Sequence, residues 1–436
     1  MASTGSMVCN LREIIGHDSL ITEEDISLYT YDGITPEIGI IPSSTQEMEN
    51  IVCYATKNNL SVIPSGSGTK LGIGNLAEKT DLVLSTHRLN KVLEYEPADL
   101  TVTVEAGIRL RDLQTVLAEH KQFLPLDPPY GDRCTIGGII SSNSSGSLRY
   151  QYGTARNLVL GMKVMHPKGI VVKSGGKVVK NVAGYDINKL YIGAFGTLGI
   201  ITEATLKLAP LPAHTAILVS QFEHIGEAVI SGRKIASSQI LPNYVNLLSK
   251  FSYQDLSSNK PTLLIGFGGD PEAVSWQLGS TKSLMEQYGS LGVHIIDGEN
   301  QTDIQQLIQE FSAVNRNSDT VLVKLNLKQT DLAEFAEKAL DITDDIMAIV
   351  GNGVLYLRIN EQSGMDANSL SHTLNQLRED AVEVHGNLIL EAAPPELKQQ
   401  IDVWGSIDRT LILMKQIKSK FDEGNILNPG RFVSAI

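Results

Sequence analysis

The stretch from Pro64 to Gly72 reads PSGSGTKLG and, with Gly74 beyond it, sets Gly66, Gly68, Gly72 and Gly74 around Ser65, Ser67, Thr69 and Lys70. Backbone N–H groups in such a segment can approach a phosphate with no Cβ in the way, so anion cradling is the chemistry suggested. The plain alternative is a flexible loop. The stretch is not a Walker A loop, because no Gly-Lys in it is followed by Ser or Thr; the nearest case, Gly176-Lys177, runs on to Val178. Nor is it a dinucleotide fingerprint, since Leu71 stands where the third glycine belongs. Two further stretches, TIGGIISSNSSG at 135–146 and GAFGTLGII at 193–201, repeat the composition. Three close-approach backbones in one domain favour one long, thin ligand.

Other chemistry-bearing residues are scattered. Cys9, Cys53 and Cys134 are widely spaced with no CxxC, which argues against a disulfide framework, an iron–sulfur cluster or a zinc ribbon and for reduced, structural thiols. The nine histidines show neither His-x-His nor HExxH, and no metal site is expected.

The elements that must position the glycine-rich segments follow from periodicity. Ile38–Ile41 reads as a strand, Ser44 with Glu47 as a capping box opening a helix near 44–58, and Leu60–Ile63 as a strand delivering the chain into the first loop. Strands are expected at Leu82–Leu84, Lys91–Tyr95, Thr101–Glu105, Leu158–His166, Ile170–Val172 and Gly199–Leu208, with a helix carrying Leu110, Leu113 and Leu117. Pro210 and Pro212 mark a boundary. Beyond it strands at 216–219, 263–267, 321–325, 354–357 and 388–390 alternate with polar-faced helices, and a last helix carrying Met414 and Ile417 leads to a tight turn at Asn428-Pro429-Gly430. The fold class is α+β, organised as a segment 1–35, a domain 36–212, a second α+β domain 213–405 and a returning segment 406–436.

A chain of 436 residues exceeds one ordinary core. With 42% hydrophobic and 19% charged residues it reads as globular, no apolar run suggests direct membrane insertion, and nothing at the N-terminus marks export, so a cytoplasmic location is expected. A net charge of -13 disfavours nucleic acid as a partner.

PSGSGTKLG, PLDPP at 125–129, TIGGIISSNSSG, KNVAGYDINKL at 180–190, GTLGIITEATLKL at 196–208 and ILNPGR at 426–431 together resemble the vanillyl-alcohol oxidase, or PCMH-type, FAD-binding domain. Over roughly 36–436 the chain, with the second domain as a cap, resembles the FAD-binding E-type subunits of bacterial glycolate oxidases. The resemblance implies non-covalent FAD, with Pro64, Ser65, Gly66, Ser67, Gly68 and Thr69 around the pyrophosphate. It implies Thr135, Ile136, Gly137, Gly138, Ser141, Ser142 and Asn143 along the flavin and ribityl chain, continued by Tyr152 and Gly153. Gly196, Gly199, Ile200 and Ile201 would pass near the adenine half, and Asn428 would return to the flavin site.

It further implies oxidation of glycolate or a similar small 2-hydroxyacid beside a D-type flavoprotein and an iron–sulfur F-type subunit, with membrane association only through partners. A non-catalytic assembly subunit and a free-standing D-2-hydroxyacid dehydrogenase remain open. No residue is singled out as the general base. Lys180 and Asp186, Lys70 and Cys134 have ordinary readings beside any flavin role: a surface ion pair, a solvated cation and a packed thiol. Phe195 is a departure, because the resemblance implies a glutamate as the usual residue of the more active members in that turn. The cap offers GNGVLYL at 351–357 in place of an HxGDGNxH metal motif, and His385-Gly386 reads as a turn before a strand.

Overall fold

The computed structural model describes residues 4–16, 18–22, 24–176, 186–253, 256, 259–315, 318–360, 365–407 and 410–436. Lys180, Gly184 and Tyr185 lie outside them. The chain forms two compact units: Met1–Ser144 with Thr154–Pro210 and Asp402–Ile436, and Ser145–Gly153 with Leu211–Ile401.

Among the described residues the first unit holds two larger sheets and one two-stranded pair. β1 (Ile38–Ile40), β2 (Val62–Ser65) and β3 (Leu82–Ser85) form a parallel sheet in the order β1-β3-β2. The helix Thr45–Asn58 packs Met48, Ile51, Val52 and Ala55 into the core with this sheet. Ser44 caps it by accepting from Glu47 N at 3.2 Å. The expected capping box is altered in its second half, because the Glu47 carboxylate accepts from Ser43 N at 2.8 Å, one residue earlier than Ser44. β2 starts two residues later than the expected Leu60, since Ser61 is occupied by Asp81, with Ser61 N donating to Oδ2 at 2.7 Å. It runs on through Pro64, tolerated at the sheet's end strand.

The other sheet is antiparallel, in the order β4-β5-β9-β7-β8, from β4 (Val92–Glu96), β5 (Thr101–Glu105), β7 (Val159–Met165), β8 (Val171–Gly175) and β9 (Ile200–Lys207). The two-residue strands β6 (Gln122–Phe123) and β10 (Ala209–Pro210) pair with each other. Leu110, Leu113 and Leu117 of the helix Leu110–Ala118 join the core of this sheet. Of the three thiols only Cys134 packs there; Cys9 and Cys53 are exposed, and none of the three forms a disulfide among the described residues.

The second unit is one eight-stranded antiparallel sheet, in the order β14-β11-β13-β12-β16-β17-β15-β18. Its strands are β11 (His214–Gln221), β12 (Tyr244–Leu248), β13 (Thr262–Gly269), β14 (Gly292–Asp297), β15 (Val321–Asn326), β16 (Ile346–Ile349), β17 (Val354–Ile359) and β18 (Asn387–Ala392). Sequence reasoning missed three of these. β12 and β16 are buried at every position and so show no alternation, whereas β14 is an edge strand with little burial. His385 has φ +63 and, followed by Gly386, leads into β18, as the turn reading requires. No helix among the described residues is long and apolar enough to cross a membrane.

The terminal segment is fastened to the first unit by a buried ion pair. On the helix Leu411–Phe421, Lys418 Nζ donates to Asp422 at 2.7 Å, Leu427 O at 2.8 Å and Thr197 O at 3.0 Å. Asp422 also accepts from Ile426 N and Leu427 N. Burial holds the Lys418 ammonium below its ordinary range, so the fold relies on its partners. Replacing Asp422 by Ala is expected to cost about 3 kcal/mol, since it leaves a buried charge uncompensated. Urea unfolding measures this, and a loss below about 1 kcal/mol, the scale of an exposed pair, would contradict it.

Candidate functional site

Three pieces of the first unit assemble one pocket. The loop after β2 contributes Pro64 to Leu71 and Ile73, the Cys134–Ser144 region contributes Thr135, Gly138, Ile139, Ser141, Ser142 and Ser144, and the terminal turn contributes Asn428 and Arg431. Pro128, Pro129, Cys134 and Phe195 complete the lining. The second small-residue stretch is not a loop but a helix, Ile136–Ser142, because Thr135 caps it by accepting from Gly138 N at 3.3 Å and Asn143 ends it with φ +47.

Glycine is required at Gly66, where an added Cβ would lie 1.9 Å from Thr135 Oγ1, and at Gly68, whose φ is +69. The terminal turn is zipped to β2: Val62 N donates to Ile426 O at 2.7 Å and Asn428 N to Val62 O at 3.0 Å. This sets the Asn428 side chain beside Phe195, where Nδ2 donates to Phe195 O at 2.5 Å.

Of the residues singled out in the sequence, Pro64, Ser65, Gly66, Ser67, Gly68, Thr69, Thr135, Gly138, Ser141, Ser142 and Asn428 line this pocket. Ile136 and Gly137 face the core, and a Cβ on Gly137 would lie 2.8 Å from that of Ala106. Gly196 packs against Pro64, and Gly199, Ile200 and Ile201 lead into or form β9. Tyr152 and Gly153 belong to the second unit.

Arg431 escaped sequence reasoning, since only the turn drew notice there. Its buried guanidinium donates to Leu71 O and to Ile73 O, the latter at 2.7 Å, and stacks over Tyr31 at 4.5 Å. Burial pushes its pKa down, opposed by Tyr31 and Asp32. With Lys70 it gives the pocket two cationic groups.

The pocket fits a polar, elongated, anionic ligand. Ser67 Oγ, Ser144 Oγ and Asn428 Oδ1 are buried in its lining without a protein partner, and such atoms are costly unless a ligand or water meets them. Glycine-backed amides at the loop suit a diphosphate, and the hydroxyls around the helix suit a polyol.

A second constellation, unnoticed in the sequence, lies within the second unit. Lys324 on β15 pairs with Glu391 on β18 at 3.0 Å, and its ammonium sits 5.6 Å from the ring centre of Tyr356, its cross-strand neighbour on β17. Burial opposes the Lys324 charge, but Glu391 and Tyr356 outweigh it and raise the pKa, even against Arg149. Arg149 Nε is buried with no partner, and so is Asn246 Oδ1, whose Nδ2 donates to Ser147 Oγ at 2.6 Å. Lys324 is thus held by the Glu391 carboxylate in the electrostatic field of a second cation, Arg149. No group of three or more His, Cys, Asp or Glu able to hold a metal is found among the described residues.

Residues 36–175 match the family model of the FAD binding domain. The fold is that of p-cresol methylhydroxylase, whose structure with substrate bound superposes with a TM-score of 0.77 at 16% identity, over 98% of this chain and 96% of that one. These define a flavoprotein of the PCMH-type FAD-binding fold. The chain is 28% identical to the glycolate oxidase subunit GlcD of Bacillus subtilis (strain 168), over 93% of this chain and 91% of the relative. It is 26% identical to the mitochondrial D-lactate dehydrogenase [cytochrome] of Arabidopsis thaliana, over 91% and 73%. The protein is an FAD-dependent oxidoreductase.

Two outcomes test the cradle. Acid precipitation should release the FAD into solution, and colour remaining in the pellet would reveal a covalent bond. Gly66→Ala should lower FAD affinity by at least about tenfold, or 1.4 kcal/mol, and Thr135→Ala in the same chain should recover part of it by removing the hydroxyl that the new methyl meets. Equal flavin binding by wild type and Gly66→Ala would disprove this placement of the loop.

Proposed function

We propose that the protein oxidises a small 2-hydroxyacid, glycolate foremost, to the 2-oxoacid, here glyoxylate, and passes the electrons to a partner protein. The observation that carries this reading lies within the second unit, where Arg149 Nε is buried without a hydrogen-bond partner among the described residues and acts electrostatically on the Lys324–Glu391 pair. Buried cations in excess of carboxylates are stabilised by an anion, and a guanidinium forms paired hydrogen bonds with a carboxylate. Similarity to a glycolate oxidase subunit and a D-lactate dehydrogenase supports the same substrate class.

In this reading, bound FAD supplies the hydride acceptor for the α-carbon of the acid. The loop at 65–70, the helix Ile136–Ser142 and Asn428 bind and orient it, while Arg149 and Lys324 recognise the carboxylate. The subunit role rests on the resemblance to E-type chains and on the similarity to GlcD, and a D-type flavoprotein and an iron–sulfur F-type subunit are its proposed companions. The resemblance implies glutamate as the usual residue where Phe195 stands, which supports a chain that depends on partners for full turnover.

Anaerobic titration of the purified flavoprotein with glycolate and with D-lactate tests the substrate. Bleaching of the flavin by glycolate is expected, and an unchanged spectrum with both acids would refute catalysis by the chain itself. Arg149→Gln leaves the Lys324–Glu391 pair in place. It should weaken the bleaching titration about tenfold to a hundredfold, as expected for one charged hydrogen-bonding partner, with FAD content unaltered.

A further inference from the structure

Arg431 is a buried cation in the lining of the cofactor pocket whose charge the protein leaves incompletely met. The residue is 6% exposed, its Nη2 serves both Leu71 O and Ile73 O, and its Nε is buried with no partner among the described residues. Tyr31 covers the guanidinium at 4.5 Å, but burial pushes that phenol up to about 12, so it offers a neutral ring face and no counter-charge. Asp32 acts on Arg431 through its field, and among the described residues no carboxylate forms an ion pair with it. Lys70, also in the lining, is only part-buried, so water can serve its ammonium. A buried cation held by carbonyls and a ring alone is costly to the fold.

The same residue pins the terminal turn to the stretch that follows the glycine-rich loop. Arg431 O accepts from Asn75 N at 3.0 Å and from Trp404 Nε1 at 3.0 Å, and a Cβ on Gly74 would lie 2.6 Å from that oxygen. Beside it Glu78 N donates to Pro429 O at 3.2 Å, and Asn75 Oδ1 accepts from Val403 N at 2.8 Å. The side chain of Arg431 therefore holds residues 71 and 73 while its backbone holds residue 75. Whatever settles the charge of Arg431 also steadies the seam between loop and chain end.

We propose that Arg431 is the phosphate-reading residue of this pocket: it selects FAD by its diphosphate, and that anion completes the closure of the terminal turn on residues 71–78. Glycine-backed amides of the 65–69 loop offer dipoles, whereas Arg431 offers a whole charge and an unmet N–H. Guanidinium matches phosphate oxygens with paired, charge-assisted hydrogen bonds. Oxidised isoalloxazine and the ribityl chain are neutral, so the diphosphate is the part of the cofactor that answers a buried cation. Because the ligand offsets a cost already present in the fold, cofactor binding and closure of the chain end are linked.

The experiment strips FAD from the full-length protein and titrates it with FAD, FMN and riboflavin, read by flavin fluorescence, so that it does not depend on which hydroxyacid is the substrate. Arg431→Gln keeps an amide donor for the carbonyls and removes the charge. It should weaken FAD binding about tenfold to a hundredfold and leave riboflavin binding within about threefold of wild type, with FMN between them. Arg431→Lys returns the charge without the planar fork and should bind FAD at least about threefold more tightly than Arg431→Gln. An equal loss for FAD and riboflavin would show a structural prop or a contact with the flavin ring, and would overturn the phosphate reading. The wild-type chain answers even where a variant does not fold: in hydrogen exchange of the stripped protein, inorganic pyrophosphate should slow residues 71–78 and 428–436 as FAD does, and riboflavin should not. Exchange unchanged by pyrophosphate, or slowed as much by riboflavin as by FAD, would overturn the linkage.

Discussion

A single buried ammonium holds the cofactor end of this molecule together. Lys418 reaches the side chain of Asp422, the carbonyl of Leu427 and the carbonyl of Thr197, and so joins a helix, the terminal turn and the 193–198 turn at one point. Because the ammonium is out of water, each partner offsets part of a desolvation cost that solvent cannot. The consequence reaches the site directly. Leu427 bridges to Val62 at the root of the glycine-rich loop, and the next residue, Asn428, bonds to Phe195 O. Chain ends that are distant in sequence thereby become the two lips of one pocket.

That geometry explains why the pocket contains so few charges yet suits an anionic ligand. The cationic side chains are Lys70 and Arg431, and Arg431 is already engaged with two carbonyls and the Tyr31 ring. The rest of the attraction falls to backbone amides and hydroxyls, which cost nothing to reorganise when they are fixed in advance. Gly66 is the clearest instance: the loop approaches the Thr135 hydroxyl so closely that a methyl group has no room. Close packing of backbone on side chain leaves the loop a defined shape.

Legibility in the sequence followed local chemistry. The 65–70 loop, Thr135 and Asn428 were readable because glycine, small hydroxyls and an Asn-Pro-Gly turn have backbone consequences wherever they occur. The helix Ile136–Ser142 was not readable as a helix, since two glycines and three β-branched isoleucines disfavour it locally, and it forms because Thr135 caps it and Ile136, Ile139 and Ile140 find a core. Arg431 was invisible for a related reason: an arginine in a polar turn looks solvated until a ring and two carbonyls from residues 31, 71 and 73 meet it. Lys324 hid inside an apolar strand, and only the pairing of β15 with β17 and β18 brings it to Tyr356 and Glu391. Long-range partners give such residues their meaning, and periodicity does not carry them.

The two constellations divide the chemistry along the division of the chain. The first unit spends its glycines and hydroxyls on a cofactor and leaves Ser67, Ser144 and Asn428 with polar atoms that only a ligand or water can meet. The second holds Lys324 of its antiparallel sheet against Glu391, with Arg149 from the Ser145–Gly153 segment acting electrostatically on the pair. Neither arrangement is explained by stability alone, because an apolar residue in place of Lys324 and Glu391 would avoid the desolvation cost and pack the same sheet. The Ser145–Gly153 segment supplies Arg149 to the second unit although it directly follows the flavin-wall helix in sequence.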